Sequence, residues 1–386
     1  LVALPGSGFG APRLLSGGRE CARIDALPDD AGLAARAVSD LIARADVERT
    51  RSVTVLFLSY EASVALDPRA PRHAPMTAHG PSAWVRTFDD ESPWPEPECD
   101  DAGSAWSLAL CPRPQMRSTH EGRVASCVEH IKDGVLYQAN LAHPLTVGAC
   151  SLDEAARFFV EKTREHAPRF SAFVVDRDAT LVSLSPECLL TFDFTARTVS
   201  AYPIKGTRAR GVTIDDDARL RDELLASEKD RAEHVMIVDL LRNDLSRVCA
   251  PGSVTVCSLM HVVSAPNVHH LESRIDGALR DDVDLVALMS AAAPGGSITG
   301  APKSTAIECI HAFEGAARGP YTGNLVVMSP DGKGAASILI RTWVHSLTGD
   351  GVLHVGGGIV ADSDPGDEWQ ETLTKARAFG AVDGDA

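Results

Sequence analysis

In the run PIKGTRARG (residues 203–211), Lys205 stands beside Gly206 and Thr207 and is followed by Arg208 and Arg210. A lysine that has lost its proton attacks electrophilic carbon, and desolvation or nearby positive charge favours that form. Lys205 reads as the outlet of a strand, before a loop that Gly206 permits to bend. Arg208 and Arg210 can supply the charge or hold a carboxylate. A solvent-exposed lysine in a basic turn is the plain alternative. Downstream, carboxylates recur three residues apart, as Asp230/Glu233 and Glu368/Glu371. On a helix that step keeps both on roughly one face. Such a set can surround a hard divalent ion, with water and substrate oxygens completing its shell. Two solvated helix faces fit the same spacing, because Lys229, Arg231, Lys375 and Arg377 flank them. An amine, anion donors and carboxylates in one chain suggest chemistry on a small, negatively charged substrate.

Other residues extend the set. Glu187 follows Ser-Pro at a strand end, where burial would make it a general acid and exposure an ordinary loop carboxylate. His261, before VVS, can orient an oxygen or move a proton; packing on an apolar strand is the bland reading. Arg341 in ILIRT and Lys375 in LTKAR are candidate carboxylate clamps, and Tyr321 adds an O–H donor. In PGGSITGAPK (294–303), Gly295, Gly296 and Gly300 surround Ser297 and Thr299. Small residues there let a ligand reach backbone N–H groups, or they make a structural turn. The spacing is not that of a phosphate loop. Gly356, Gly357 and Gly358 pose the same choice between tight packing and donors facing a ligand.

Composition bounds the class. The 386 residues suffice for one large domain or two ordinary ones. With 44% apolar and 23% charged residues, the chain reads as folded. A net charge of −16 disfavours a broad nucleic-acid surface but not a local anion pocket. No apolar stretch approaches the length of a membrane span. The nine cysteines lack zinc-like spacing and read as core residues in a reducing compartment. The opening LVALPGSGFG lacks the pattern of a secretory signal, so a cytoplasmic location is expected; the missing initiator Met suggests a start beyond the true terminus.

The positioning elements follow from pattern. Helices are expected at 35–46, 121–133 with Gly134 as exit, from Ser151 with a Ser151/Glu154 capping box, 216–244 as one long helix, 282–292, 303–314 and 365–379. Strands are expected at 51–60, 82–88, 104–110, 137–147, in short runs from SAFVVD to residue 202, and at 337–343 and 352–360. Surface loops are expected at 67–82 and 89–103. Strands in groups with helices between them indicate a mixed α+β class rather than a doubly wound sheet.

Taken in order, GVLYQANL, SPECLL, PIKGTRARG, RAEHVMIVDLLRNDLSRV, PGSVTV, PGGSITGAPK, RGPYTG, ILIRT and GGGIVADSDPGDEWQETLTKA resemble the chorismate-utilising enzymes. The resemblance implies an α+β fold with two packed antiparallel β-sheets and helices outside, formed as one intertwined unit over 1–386. Residues 121–380 would be the catalytic core and 1–120 a shortened, weakly matched amino-terminal portion, in which only 51–60 looks like the family's earlier strand. Within the family, Lys205 resembles the lysine of aminodeoxychorismate synthase component I, where anthranilate synthases carry alanine (PIAGT). That implies amination of chorismate to 4-amino-4-deoxychorismate with Mg2+. Lys205 would add to ring C2 as the C4 hydroxyl leaves, and ammonia would then expel it. A separate glutamine amidotransferase subunit would supply ammonia, since no such module is recognisable here. Folate synthesis through 4-aminobenzoate and a specialised pathway both remain open.

By the same resemblance, Lys205, Glu187 and His261 are catalytic, with His261 near the departing hydroxyl. Glu233, Glu368 and Glu371 match metal-associated positions, with Asp230 beside them. Gln138, Thr299, Gly300, Tyr321, Arg341, Gly356, Gly357, Gly358 and Lys375 fall in substrate-binding segments. Gln138 stands where isochorismate-forming relatives carry a water-activating lysine, and its amide cannot do that chemistry. Cys188, Ala209 and SAPNVHH (264–270) depart from the family pattern. Anthranilate synthase component I, 2-amino-2-deoxyisochorismate synthase and a catalytically silent glutaminase-binding subunit are the alternatives.

Overall fold

The run VTVLFL forms the strand Val53–Leu58, and its side chains divide by parity. Val55 and Phe57 enter one apolar cluster, while Leu56 and Leu58 enter another. A strand's side chains alternate in direction, so a continuous apolar run means that both faces are covered. One face meets a second sheet and the other meets helices. The computed structural model describes residues 2–4, 7–9, 13–72, 80–93, 110–112, 115–177, 179–266, 268–346, 349–377 and 379–380.

Two antiparallel sheets, each of ten strands among the described residues, make the fold. One runs from Gly300–Ala301 through Gln138–Val147, Gly351–Ile359, Thr342–Ser346, Ala179–Ser185, Phe170–Val175, Val2–Leu4 and Arg13–Ser16 to Asp90–Pro93, with Leu110–Pro112 beside Gln138–Val147. The other runs from Ile204–Ala209 through Val268–Ala278, Thr198–Tyr202, Cys188–Asp193, Lys333–Ile338, Asn324–Met328, Val53–Leu58 and Ala83–Phe88 to Arg19–Ile24, with Thr255–Ser264 also on Val268–Ala278. Val2, Leu4 and Leu15 of the first sheet pack on Val55, Phe57 and Trp84 of the second. Phe158 and Phe159 of the helix Leu152–His166 cover the first sheet, and Val38, Ile42 and Ile237 belong to the helix-side core of the second. The expected α+β class and two-sheet packing hold.

Several local expectations hold for the anticipated reasons. Ser151 accepts the Glu154 N–H and Glu154 answers to the Ser151 N–H, completing the capping box. Gly134 follows the helix Met116–Lys132 at φ +77°. The helix Lys303–Glu314 has the expected bounds. The 216–244 helix is two helices, Ile214–Ala226 and Glu228–Ser246. Ser227 breaks them by leaving helical geometry and accepting the Asp230 N–H, a serine's favoured role as an N-cap. The expected strand at 337–343 is interrupted between Lys333–Ile338 and Thr342–Ser346, which lie in different sheets. The expected 104–110 strand falls outside the described residues except for Leu110. Within the expected loop 89–103, Asp90–Pro93 pairs as a strand. Among the described residues no helix is long and apolar enough to cross a membrane.

A buried ionic group ties the layers together. Arg318, 1% exposed, donates to Glu314, to the carbonyls of Ile298 and Asn140, and to Thr322. Glu61 accepts the Arg318 and Gly319 backbone N–H groups. Arg318→Met would leave Glu314 buried without its partner. We expect a loss of about 3–5 kcal/mol, read from the denaturant midpoint at constant m-value.

Candidate active site

Two crossings between the sheets begin the site. The chain leaves Ala179–Ser185 in the first sheet and enters Cys188–Asp193 in the second, placing Glu187 at the crossing. It returns between Lys333–Ile338 and Thr342–Ser346, where Arg341 takes φ +48°. The crossings are laced together: Leu184 N–H donates to the Arg341 carbonyl and Ile338 N–H to the Glu187 carbonyl. Glu187 is 7% exposed and accepts a hydrogen bond from Ser297 Oγ. Burial raises its pKa to about 7, against the pull of Ser297 and of the positive charges on Lys205 and Arg341. Burial also lowers the pKa of Arg341, with the Glu187 charge opposing. Arg341 makes no ion pair among the described residues, so its guanidinium remains available to an anion.

Lys205 lies within the strand Ile204–Ala209, not in a loop after one. Gly206 does bend the chain, at φ +93°, but as an irregularity inside the ladder: pairing with Val268–Ala278 slips between Ile204 and Thr207 and then resumes. Lys205 Nζ lies 2.9 Å from Glu233 Oε2. Arg208 and Arg210 hold the protein's own carboxylates rather than waiting for a substrate's. Arg208 pairs with Asp230 at 2.9 Å, and Arg210 pairs with Asp217 at 2.7 Å. Asp230 is therefore engaged at the back of Gly206, whose Cβ position lies 3.3 Å from Asp230 Cβ.

The glycine run on Gly351–Ile359, inside the first sheet, faces the edge strand of the second. A Cβ on Gly358 would lie 2.9 Å from Lys205 Nζ and 2.8 Å from Gln138 Nε2. One on Gly357 would lie 3.0 Å from Glu368 Oε2, 3.7 Å from Glu371 Oε1 and 3.9 Å from Lys375 Nζ. One on Gly356 would meet the Tyr321 hydroxyl at 2.9 Å. These glycines admit functional side chains by lacking their own. Gln138 is fully buried, with neither amide atom hydrogen-bonded. Lys375 Nζ donates to the Gly356 carbonyl at 2.8 Å and pairs with Glu371 at 2.6 Å.

The remaining predicted residues divide. Thr299 is buried and spends its hydroxyl on the Gly295 carbonyl at 2.8 Å. Gly300, at φ +145°, pairs with Ala139; a Cβ there would strike the Gln138 carbonyl. Both build the wall of the site. His261 is half-exposed, 3.0 Å from Ser258 Oγ and 3.3 Å from Glu272 Oε1. It makes no hydrogen bond or ion pair to Lys205 or Glu187 among the described residues.

A family model for chorismate binding enzymes matches residues 29–381. The chain belongs to the chorismate binding enzymes. Among curated members, it is 43% identical over 268 residues to anthranilate synthase component 1 1 of Haloarcula marismortui, covering 69% of this chain and 54% of that protein. It is 41% identical over 264 residues to the chloroplastic aminodeoxychorismate synthase of Arabidopsis thaliana, covering 68% of this chain and 28% of that protein. The matched region thus spans about half, or less, of these relatives' length. Anthranilate synthase component I from Streptococcus pneumoniae superposes with TM-score 0.72 at 23% identity, covering 84% of this chain and 80% of that one. The menaquinone-specific isochorismate synthase from Escherichia coli gives TM-score 0.70 at 19% identity, covering 98% and 87%. These likenesses carry the fold.

The carboxylates of this chorismate binding enzyme fit a hard cation in donor type. Glu368 Oε1 accepts from Ser363 Oγ at 2.6 Å, but the buried Oε2 has no partner. Burial raises the Glu368 pKa, with Glu371's charge adding to it. Partial desolvation opposes it, yet Lys375 holds the half-exposed Glu371 below the usual carboxylate range. An orphaned carboxylate oxygen beside a second carboxylate is a place where a cation would relieve both desolvation and repulsion. Among the described residues, no ready-made group of three or more metal-ligating side chains exists. Glu233 is turned to Lys205 instead.

Sequence reasoning missed His234 and Asn140. His234 is buried beneath Lys205, and burial lowers its pKa despite a bond to the Lys205 carbonyl. Asn140 lies opposite Gly358 in the ladder, with its side-chain amide on the Tyr321 hydroxyl. For His234, the usable signal was its place directly after Glu233. For Asn140 it was the matched segment GVLYQANL, where it stands one strand period after Gln138.

Proposed function

We propose that this chain is the synthase component of an aminodeoxychorismate-forming system, converting chorismate and ammonia to 4-amino-4-deoxychorismate and water. The observation that carries the reading is Lys205 Nζ over Gly358, with Glu233 at 2.9 Å and the buried acid Glu187 contributing to the same electrostatic field. In its amine form, Lys205 bonds to ring C2 and passes its surplus proton to Glu233. The ring double bond shifts, and the C4 hydroxyl leaves as water with the proton of Glu187. Ammonia then bonds to C4 and loses a proton to Glu187. The C2–N bond breaks, and Lys205 departs with the proton held by Glu233. Arg341 supplies a fork for the enolpyruvyl carboxylate, and the unpartnered amide of Gln138 binds substrate beside Lys205. His261 is assigned to the departing hydroxyl on resemblance. Mg2+ would be held by Glu368 and Glu371, with Glu233 remaining the proton partner of Lys205, and would neutralise a substrate carboxylate and polarise the leaving group. A glutamine amidotransferase partner would supply ammonia.

The deciding experiment incubates the protein with chorismate, Mg2+ and ammonium and identifies the product. We expect aminodeoxychorismate; anthranilate with pyruvate would establish the second reading, anthranilate synthase component I. That reading is favoured by the haloarchaeal relative. Gly358→Ala offers a finer check. The added methyl would crowd Lys205 Nζ and Gln138 Nε2, both ends of flexible side chains, so folding should survive. Displacing the amine by about an ångström should cost about 10²-fold in kcat/KM, with an almost unchanged melting temperature.

A further inference from the structure

The helix Glu228–Ser246 holds Lys205 in two places. Glu233 meets its amine, and the next residue, His234, meets its backbone. His234 Nδ1 lies 3.2 Å from the Lys205 carbonyl oxygen, and its Nε2 lies 2.7 Å from Ser273 Oγ. Ser273 Oγ also accepts the Met260 N–H at 2.9 Å. A carbonyl can only accept, so Nδ1 carries the imidazole proton and Nε2 accepts the Ser273 hydroxyl hydrogen. The bonds therefore run in one direction, from Met260 N–H through Ser273 and His234 to the Lys205 carbonyl.

Both ends of this chain are irregular backbone. Lys205 precedes Gly206, where the ladder slips. Met260 stands at φ +54°, unusual for a residue with a side chain, and the ladder between Ser258 and His261 slips as well. Such conformations persist when surrounding bonds over-determine them. Ser273 also bonds across this region, its N–H donating to the Pro203 carbonyl at 3.1 Å.

We propose that His234, acting through Ser273, is a positioning residue that fixes Lys205 relative to the strand bearing His261 by tying one backbone irregularity to the other. The functional part of this inference rests on Lys205 being the nucleophile. The test breaks the chain at two links, with His234→Leu and Ser273→Ala, and uses two readouts. One is trace acetylation of Lys205, quantified by mass spectrometry against the exposed Lys333. The other is steady-state amination of chorismate with ammonium and Mg2+.

We expect Lys205 acetylation to rise severalfold in both variants. We also expect kcat to fall about 10²-fold while KM for chorismate moves little, since misplacement penalises the reacting geometry more than binding. His234→Gln keeps one donor and one acceptor and should recover much of the rate. If His234→Leu does not fold, Ser273→Ala, which removes one oxygen, decides the matter. Unchanged Lys205 acetylation, or an unchanged kcat, would overturn the inference. If wild type forms no aminodeoxychorismate but acetylation still rises, the positioning role stands and the amination reading falls.

Discussion

Lys205→Ala should lower kcat for aminodeoxychorismate formation by about 10³-fold or more, while the protein stays folded. The stability half follows from placement. Lys205 lies on an edge strand, and its partner Glu233 keeps some solvent contact, so the freed carboxylate can hydrate. The catalytic half follows from what no other residue supplies. Lys229 acts on Glu368 and Glu371 through its charge, and Lys375 is committed to Gly356 and Glu371. Lys205→Arg separates nucleophilicity from charge, since a guanidinium remains cationic and does not attack carbon. Both variants should be inactive. Near-normal turnover by Lys205→Arg would reduce Lys205 to an electrostatic role. Intact-mass measurement on wild type with chorismate and no ammonia should show a covalent adduct equal to chorismate less one water, absent from Lys205→Ala.

Glu187→Gln should cost about 10²–10⁴-fold in kcat with a smaller change in KM, because the amide keeps the shape and loses the transferable proton. The pH profile carries the sign. With a folded pKa of about 7, Glu187 is the competent acid below that pH and loses its proton above it, so the wild-type rate should fall on the alkaline side of about 7. Stability moves in the same direction. The unfolded chain releases this proton near the ordinary value of 4.5, whereas the folded one retains it until about 7. Stability contributed by this group is therefore present below about 4.5 and declines as pH rises to about 7. Glu187→Gln removes that penalty and should be at least as stable as wild type at pH 8. A variant that loses both activity and alkaline stability would mean that Glu187 is structural.

Much of the candidate site is legible in the sequence, for a specific reason. Lys205, Glu187, Arg341 and the glycine run lie in short ordered segments whose residue types restrict their use. A helix start marked by a local cap, as at Ser151, is also legible because the cap partners are three residues apart. What stayed hidden was long-range. The apolar run at 337–343 has strand character throughout, and nothing local states that its two ends join different sheets. The break at Ser227 was masked by helix-forming residues on both sides. The pairing of Arg208 and Arg210 with Asp230 and Asp217 depended on where the two helices return against the Lys205 strand. His234 looked like one more polar residue on a helix until Ser273, far along the chain, was brought beneath it.

The interleaved strand order has a consequence for how the protein is made. Gln138–Val147 is paired along nearly its whole length only by Gly351–Ile359, far along the chain, while Leu110–Pro112 and Gly300–Ala301 reach only its two ends. The nascent polypeptide therefore carries one long ladder unfilled until Gly351–Ile359 has been made. Nonsense or frameshift lesions far downstream of Lys205 would leave a product that exposes a sticky β edge and has no floor beneath its amine, so late truncations should be cleared or aggregate rather than survive as weak enzymes.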